Sequence, residues 1–280
     1  MRPLFALLSA VLLLTTGCNP GPDAPRSANA TPLSTATPST QTASATTKVT
    51  IWKPTPKTAF QVQYAGKLAA TTAPVVDLDG VETTSAQVAQ LKASGKKVIC
   101  YFNAGGWENW RSDRGKFPAS VIGKKLDSWP GERWLDIRKL SVLMPIMNAR
   151  MDQCKAKGFD AVDPDNMDGY QAKTGFPLTK AHELAYFTAL SKAAHQRGLA
   201  IGLKNGIELI PQAQPWADFA VNEECLVYQE CNAYRPFIAA KKAVFHIEYD
   251  VSVAHMCAKS PAGFSNVLKH LKLDAWARYC

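Results

Sequence analysis

Little in this chain points to metal, nucleotide or nucleic-acid chemistry. Its five histidines are scattered: His182 and His195 fall on one helical pattern, His246 in a strand, His255 in a loop and His270 near the end. They are not grouped as zinc ligands are, so each is read as a surface or satisfied core histidine. No GxGxxG run follows the first expected strand, which removes the dinucleotide-binding fingerprint. Arginine-rich runs and nucleic-acid motifs are lacking as well. The formal charge of +9 is therefore read, in lysines such as Lys96, Lys97, Lys124, Lys125, Lys241 and Lys242, as a solvated face or as attraction to an anionic envelope rather than to nucleic acid. No cofactor, metal or nucleic-acid partner is expected, and the chain is expected to be a monomer.

Residues 19–48 hold almost no aromatic or large aliphatic side chains. A Ser, Thr, Ala and Pro stretch of this kind cannot bury enough surface to offset ordering its backbone, so it is expected to be a disordered linker. The apolar run Leu4 to Leu14 is too short to span a bilayer. With Arg2 before it and Thr15-Thr16-Gly17-Cys18 after it, it reads as an export signal over residues 1–17. Cys18 stands where a bacterial lipobox places its lipidated cysteine, although Thr15 replaces the usual aliphatic residue three positions earlier. A cell-envelope lipoprotein is expected, with simple secretion as the alternative, and the lipid is the only membrane contact. Residues 18–48 would then be lipidated cysteine plus linker. Residues 49–280 form one globular domain of about 230 residues, enough for a single large core.

Six further cysteines remain, and an even count in an exported chain favours disulfides. Cys225 with Cys231 would close a tight loop, and Cys257 with Cys280 would tie down the C-terminus. Cys100 and Cys154 sit in apolar settings, either paired or simply buried.

Eight short apolar runs are expected as strands: Phe60 to Tyr64, Val75 to Asp79, Val98 to Asn103, Trp134 to Ile137, Asp160 to Asp165, Ala200 to Lys204, Phe219 to Glu223 and Val244 to Tyr249. Helix-then-glycine signals end at Gly95, Gly158 and Gly198, before the third, fifth and sixth. Alternating helix, glycine and buried strand predicts a parallel sheet, and eight repeats predict a closed (β/α)8 TIM-type barrel of a single domain. A doubly wound open sheet is the alternative.

Polar residues recur at the C-terminal ends of these runs, where a barrel gathers its active site. They include Gln63, Asp77, Asp79, Asn103, Asp136, Asp163, Asp165, Lys204, Asn205, Asn222, Glu223 and Glu248. The densest group is in Phe159 to Tyr170, where Asp163, Asp165 and Asp168 crowd three carboxylates that repel one another and do nothing for folding. A calcium loop fits poorly, lacking a glycine at its sixth position and a closing glutamate. Two carboxylates suit glycosidic cleavage, one protonating the leaving oxygen and the other attacking or stabilising the anomeric centre. Asp165 and Glu223 would face each other across the mouth, with Asn166 and Lys204 as hydrogen-bond donors. Trp107 and Trp110 in the loop after the third strand are candidates for stacking on sugar rings.

The runs Lys97 to Gly105 with Trp107-Glu108, Trp129 to Glu132 with Trp134 to Arg138, and Asp165 to Tyr170 resemble glycoside hydrolase family 114. So do Gly202 to Asn205, Val221 to Glu223 with Cys225, and Ile247 to Tyr249. The resemblance spans roughly residues 50 to 260 in consistent order. It implies a barrel enzyme, an endo-α-1,4-polygalactosaminidase acting on a galactosamine-containing polysaccharide. It also implies that Asp165 and Glu223 are catalytic, assigned here as nucleophile and general acid/base of a retaining mechanism. Tyr101, Asn103, Trp107, Asn166, Lys204, Asn222 and Tyr249 are expected at the substrate. Asp77, Asp79, Asp136, Asp163, Asp168 and Glu248 would make an acidic mouth for ammonium groups. A barrel of the same fold that only binds carbohydrate, or that acts on another amino-sugar polymer, is the alternative.

Overall fold

The computed structural model describes residues 50–127 and 129–280. The expected export signal, Cys18 and the linker to residue 48 lie outside the described residues. Among those described, no helix is long and apolar enough to cross a membrane.

In chain order the strands are β1 (Phe60–Gln63), β2 (Val75–Asp79), β3 (Lys97–Asn103), β4 (Gly106–Glu108), β5 (Ile122–Lys125) and β6 (Glu132–Leu135). They continue with β7 (Ala161–Asp165), β8 (Ala200–Lys204), β9 (Phe219–Glu223), β10 (Val244–Glu248), β11 (Ser265–Leu268) and β12 (Arg278–Tyr279). The barrel order is β1, β2, β3, β7, β8, β9, β10, β11, with every neighbouring pair parallel. β12 runs antiparallel beside β11. The outer edges meet: β1 packs against β11, and the Tyr64 and Ala65 amides donate to the Leu273 carbonyl at 2.9 and 3.2 Å. The sheet thus closes as the expected (β/α)8 barrel.

Helices cover its outside: α1 (Ser85–Ala93), α2 (Leu140–Lys157) and α3 (Lys180–Gln196), then the short α4 (Ile210–Ala213), α5 (Arg235–Ala239) and α6 (Val253–Lys259). Thr84 and Thr179 cap α1 and α3 by accepting from the amides of Gln87 and His182 at 3.2 and 3.3 Å, which satisfies donors that a helix start leaves free. Gly158 ends α2 at φ 95°, a left-handed conformation that a side chain would strain.

Strand alternation separates two cores. Val75, Ile99, Ala161, Ala200, Phe219, Val221, Phe245 and Ile247 fill the barrel interior, and Phe60 and Phe219 pack on Phe245 at 4.7 and 5.5 Å. Their neighbours Val76, Val98, Cys100, Val162, Ile201 and Ala220 face the helices. Both faces of β1, β2, β8 and β10 are buried, as parallel strands require. Three disulfides join Cys100 to Cys154, Cys225 to Cys231 and Cys257 to Cys280. The first fastens β3 to α2, so Cys100 and Cys154 are paired rather than merely buried.

One strand expectation fails. Trp134 to Ile137 is not a barrel strand: Trp134 and Leu135 belong to β6, which pairs antiparallel with β4 and β5 in a separate three-stranded sheet. The eighth barrel strand is β11, Ser265–Leu268. Composition and alternation mark a residue as extended but do not name its partner. β11 reads Ser265-Asn266-Val267-Leu268, two polar residues before two apolar ones, and so does not stand out as an apolar run.

Candidate active site

The alternation that buries Phe219 and Val221 inside the barrel carries Glu223 to the same face two residues later. Ala161 leads likewise to Asp163 and Asp165, Ala200 and Gly202 to Lys204, and Phe245 and Ile247 to Tyr249. The strand ends then turn sharply, with Asn166, Asn205 and Glu224 at φ 59°, 47° and 62°. Asparagine tolerates this region; a glutamate there is uncommon. Gly105 is required for close approach, because a Cβ on it would stand 1.9 Å from the Asn166 carbonyl oxygen. The Ala104 and Gly105 amides both donate to the Asp165 carbonyl at 3.0 Å, so β3 braces the end of β7.

Lys204 is the centre of the arrangement. Its Nζ lies 3.3 Å from Asp165 Oδ1 and 3.2 Å from Glu223 Oε2. Burial opposes its charge, but Asp165, Glu223 and Asp163 more than offset that and hold its pKa well above the usual lysine value. Tyr101 Oη donates to Asp165 Oδ2 at 2.9 Å, and Tyr64 stacks on Tyr101 with ring centroids 4.2 Å apart. Glu223 accepts from Tyr249 Oη and, at 3.1 Å, from Asn205 Nδ2, whose Oδ1 takes the Glu223 amide at 2.9 Å.

Beneath this layer Asp77 and Asp163 are almost fully buried. Tyr64 Oη reaches Asp163 Oδ2 at 3.4 Å, and neither Asp77 Oδ1 nor Asp163 Oδ1 has a partner. Burial drives Asp77 well above the carboxylate range and lifts Asp163 to about 7, with Asp165 and Glu223 adding to the rise. Two carboxylates in one dry site do not both ionise cheaply, so the pair keeps a proton near neutrality. Asp168 is pushed to about 6 by burial and then Asp165. Buried Glu183, on α3, is pushed to about 8 by burial and then Asp168. The Gly169 and Tyr170 amides point toward Glu183 without closing hydrogen bonds to it.

A cavity of about 560 Å³ opens over Asp165, Lys204 and Glu223. A second, of about 610 Å³, adjoins it and shares Trp129, Asp168, Asn205, Glu223, Tyr249 and Leu271, so the two form one groove across the carboxylate pair. The first is lined by seven carboxylates against three cationic side chains. The second has five carboxylates and, among the described residues, neither lysine nor arginine. The groove is acidic although the chain is basic.

The expected site residues fall into three groups. Asp79, Tyr101, Asp165, Asn166, Asp168, Lys204, Glu223 and Tyr249 line the cavity. Asp77, Asn103 and Asp163 lie behind the wall, where Asn103 donates to Glu132 Oε2 at 2.8 Å and accepts from the Gly106 amide at 2.6 Å. Asn166 donates to Asn103 at 2.9 Å, so the donors to Asp165 are Tyr101 and Lys204 instead.

Asn222, Glu248, Asp136 and Trp107 are away from the cavity. Asn222 and Glu248 have the outward parity of their strands, Asn222 bonding Tyr234 Oη at 2.9 Å and Glu248 bonding His246 at 2.7 Å. Asp136 follows β6 outside the barrel and is held by Arg138 at 2.7 and 2.8 Å. Trp107 faces the outer side of the three-stranded sheet, its Nε1 bonded to the Arg114 carbonyl.

Tyr64, Glu108, Arg111, Trp129 and Glu132 line the cavity without having been assigned to it from sequence. Trp129 and Glu132 were within reach, since they lie in the conspicuous Trp129 to Glu132 run. Cys225, Cys231 and His246 have ligand atoms close enough for a metal, but sulfurs bonded to each other do not serve as thiolate ligands.

A barrel with this carboxylate, lysine and tyrosine mouth belongs to the class of glycoside hydrolases. Residues 40–280 match the model of glycoside-hydrolase family GH114, and the chain is a member of that family. Among solved structures, Ega3 of Aspergillus fumigatus in complex with galactosamine is 38% identical, with a TM-score of 0.79, covering 84% of this chain and 100% of that one. The glycoside hydrolase domain of PelA from Pseudomonas aeruginosa shares the fold at 14% identity and a TM-score of 0.62, over 79% of this chain and 98% of that one. An uncharacterized protein of Deinococcus radiodurans is 31% identical in a 197-position alignment that covers 62% of this chain and 62% of that protein's own length.

Proposed function

We propose that this protein is an endo-acting glycoside hydrolase that cleaves α-1,4-linked, galactosamine-rich polysaccharide with retention at the anomeric carbon. The observation that carries this reading is Lys204 bridging Asp165 and Glu223 from the strand between them. Two oxygens that each lie within 3.3 Å of one nitrogen are held within about twice that distance of each other. Carboxyl groups about 5 Å apart suit a nucleophile and an acid/base partner, whereas an inverting pair stands wider to admit water.

In the first step Asp165 attacks the anomeric carbon while Glu223 gives its proton to the departing glycosidic oxygen. In the second, Glu223 takes a proton from water, the hydroxyl adds to the anomeric carbon, and Asp165 leaves as a carboxylate. Tyr101 and Lys204 orient Asp165, and Tyr249 and Asn205 orient Glu223. A groove rather than a dead-end pocket suits attack within a polymer. Its excess of carboxylates suits cationic amino sugars, and the structure of Ega3, 38% identical, holds galactosamine.

We propose further that the chain is exported and lipidated at Cys18, on a linker that ends near residue 48. Three disulfides are in keeping with an oxidising compartment. The test of the enzymatic reading is release of new reducing ends from galactosamine oligomers, with proton NMR following the first anomer formed. Binding without cleavage would reduce the protein to a carbohydrate-binding barrel, and a β-anomer formed first would replace retention by inversion. Mass spectrometry of the mature protein from its own cell tests lipidation of Cys18.

A further inference from the structure

The two ends of the barrel carry opposite charge. Seven glutamates line the cavities at the mouth, and among the described residues none stands just before a barrel strand, at the base. Lysines do. Lys53 and Lys57 precede β1, Lys96 precedes β3 with Lys97 as its first residue, and Lys241 and Lys242 precede β10. The aspartates at this end are already engaged. Asp160 accepts from Lys92 and Lys97 at 3.1 and 3.0 Å, Arg197 donates to Asp152 at 2.7 Å, and buried Asp218 lies 2.7 Å from His195 Nε2.

One patch of this base combines its charge with an exposed aromatic ring. Trp216, in the turn before β9, is 38% exposed, whereas Trp110 and Trp129, the other exposed tryptophans among the described residues, line the cavity at the mouth. Lys192, near the end of α3, stands over the Trp216 ring at 5.3 Å. Lys242 donates to the Gln214 and Ala217 carbonyls at 2.7 and 2.6 Å, so it holds the turn that presents Trp216. Lys53 and Lys241 are exposed. Burial lowers the pKa of Lys242, and Lys53 is near enough to lower it further against Asp218. The chain also enters the domain here: Trp52 packs on Phe219 with centroids 6.2 Å apart, and the Pro54 carbonyl accepts from the Ala243 amide at 3.0 Å. Whatever precedes residue 50 is therefore attached at the base, away from the active site.

We propose that the base of the barrel docks on an anionic phospholipid surface, with Trp216 at the headgroup level and Lys53, Lys192, Lys241 and Lys242 facing the phosphates, so that the mouth opens away from the membrane. The inference rests on the reading of the chain as exported and tethered ahead of residue 50. Tryptophan suits the boundary between headgroups and acyl chains, where its ring leaves water and its N–H stays hydrated. Lysines crowded on one face repel one another in solution and are relieved by anionic lipid, at a gain that adds up over the group. An acidic mouth against the same surface would be repelled, so the two ends favour one orientation.

The test uses residues 19–280, which keep the linker and the whole barrel but have neither the apolar leader nor Cys18. Sedimentation measures binding to vesicles of phosphatidylcholine alone and of phosphatidylcholine mixed with phosphatidylglycerol. The protein should bind the mixed vesicles, and salt should weaken that binding. Lys53→Gln, Lys192→Gln and Lys241→Gln combined should weaken it by about a hundredfold, and Trp216→Ala by several-fold. Lys124→Gln, Lys125→Gln and Lys173→Gln combined remove the same charge from exposed lysines away from the base and should leave binding near that of the unsubstituted protein. Equal weakening in the two triple variants, equal binding to both kinds of vesicle, or no binding overturns the proposal. Tighter binding to soluble alginate than to the mixed vesicles would make the patch a polymer site and overturns it as well. Melting curves check that each variant is folded. Absence of lipid on Cys18, or of polymer cleavage, would sink the earlier readings and leave the vesicle result standing.

Discussion

Two groups of carboxylates face the same cavity, and they are held in opposite ways. Arg111 clamps Asp79 through two terminal nitrogens at 3.0 and 2.6 Å, a planar fork on a planar acceptor that fixes both partners. Lys204 stands between Asp165 and Glu223 at 3.3 and 3.2 Å, gripping neither. A fork immobilises one carboxylate; a compact ammonium can favour whichever of two carries more charge. Groups that exchange charge during a reaction need the second arrangement, and groups that shape a wall need the first.

The comparison breaks most sharply at the carboxylates themselves. Asp165→Asn and Glu223→Gln are each expected to lower kcat by about 10³-fold or more with melting behaviour little changed, since each removes a role without removing volume. Retention of activity in either, measured as new reducing ends, would take that residue out of the mechanism. Next comes Lys204. Lys204→Met should cost about 10²-fold or more in kcat by removing an oriented charge from the reacting groups. Lys204→Arg should restore the charge without restoring the rate, because a fork commits to one carboxylate. Full activity in the arginine variant would show that charge alone is what Lys204 provides.

Arg111→Met should act mainly on stability. Breaking a buried pair by removing one partner costs about 3–5 kcal/mol, read as a lower denaturant midpoint at unchanged slope. The last expected effect is seen only as a pH dependence, and it concerns a carboxyl that has no cation at all. Burial pushes Glu183 from its ordinary 4.5 up to about 8, so the folded protein holds a proton that the unfolded chain releases. Its contribution to stability is complete below about pH 4.5 and is lost as pH rises to about 8, by roughly 1.4 kcal/mol per unit. Glu183→Gln has no such proton, and its melting temperature should fall less steeply between pH 5 and 8, with its advantage over wild type greatest above pH 8. Parallel curves for the two proteins would contradict this account.

Much of the site was legible before the fold was known. Lys204, Glu223 and Tyr249 end runs whose alternate residues are apolar or glycine, Asp165 shares the parity of Ala161 and Asp163, and alternation alone places all four on the interior face. The same rule, applied strictly, separates Asn222 and Glu248 from the site, since each is one residue out of phase with Glu223 and Tyr249. Asp136 was a different kind of miss. It follows a genuine strand, but one paired antiparallel in a wall beside the barrel, and no feature of Trp134 to Ile137 distinguishes the two settings. Glu108 and Glu132 are 24 residues apart in sequence, and only the β4–β6 pairing makes them neighbours.

The sequence by itself determined which residues alternate inward, where helices stop, which cysteines were available for disulfides and which carboxylates stand at strand ends, because all of these depend on neighbours a few positions away along the chain. Tertiary structure alone decided that β11 rather than β6 completes the barrel and that Cys100 meets Cys154. It also decided that one lysine lies between Asp165 and Glu223, and that Glu108 Oε2 is left without a donor. Those outcomes depend on which surfaces meet when the sheet closes, and pairing between distant segments is set by the packing of the whole domain.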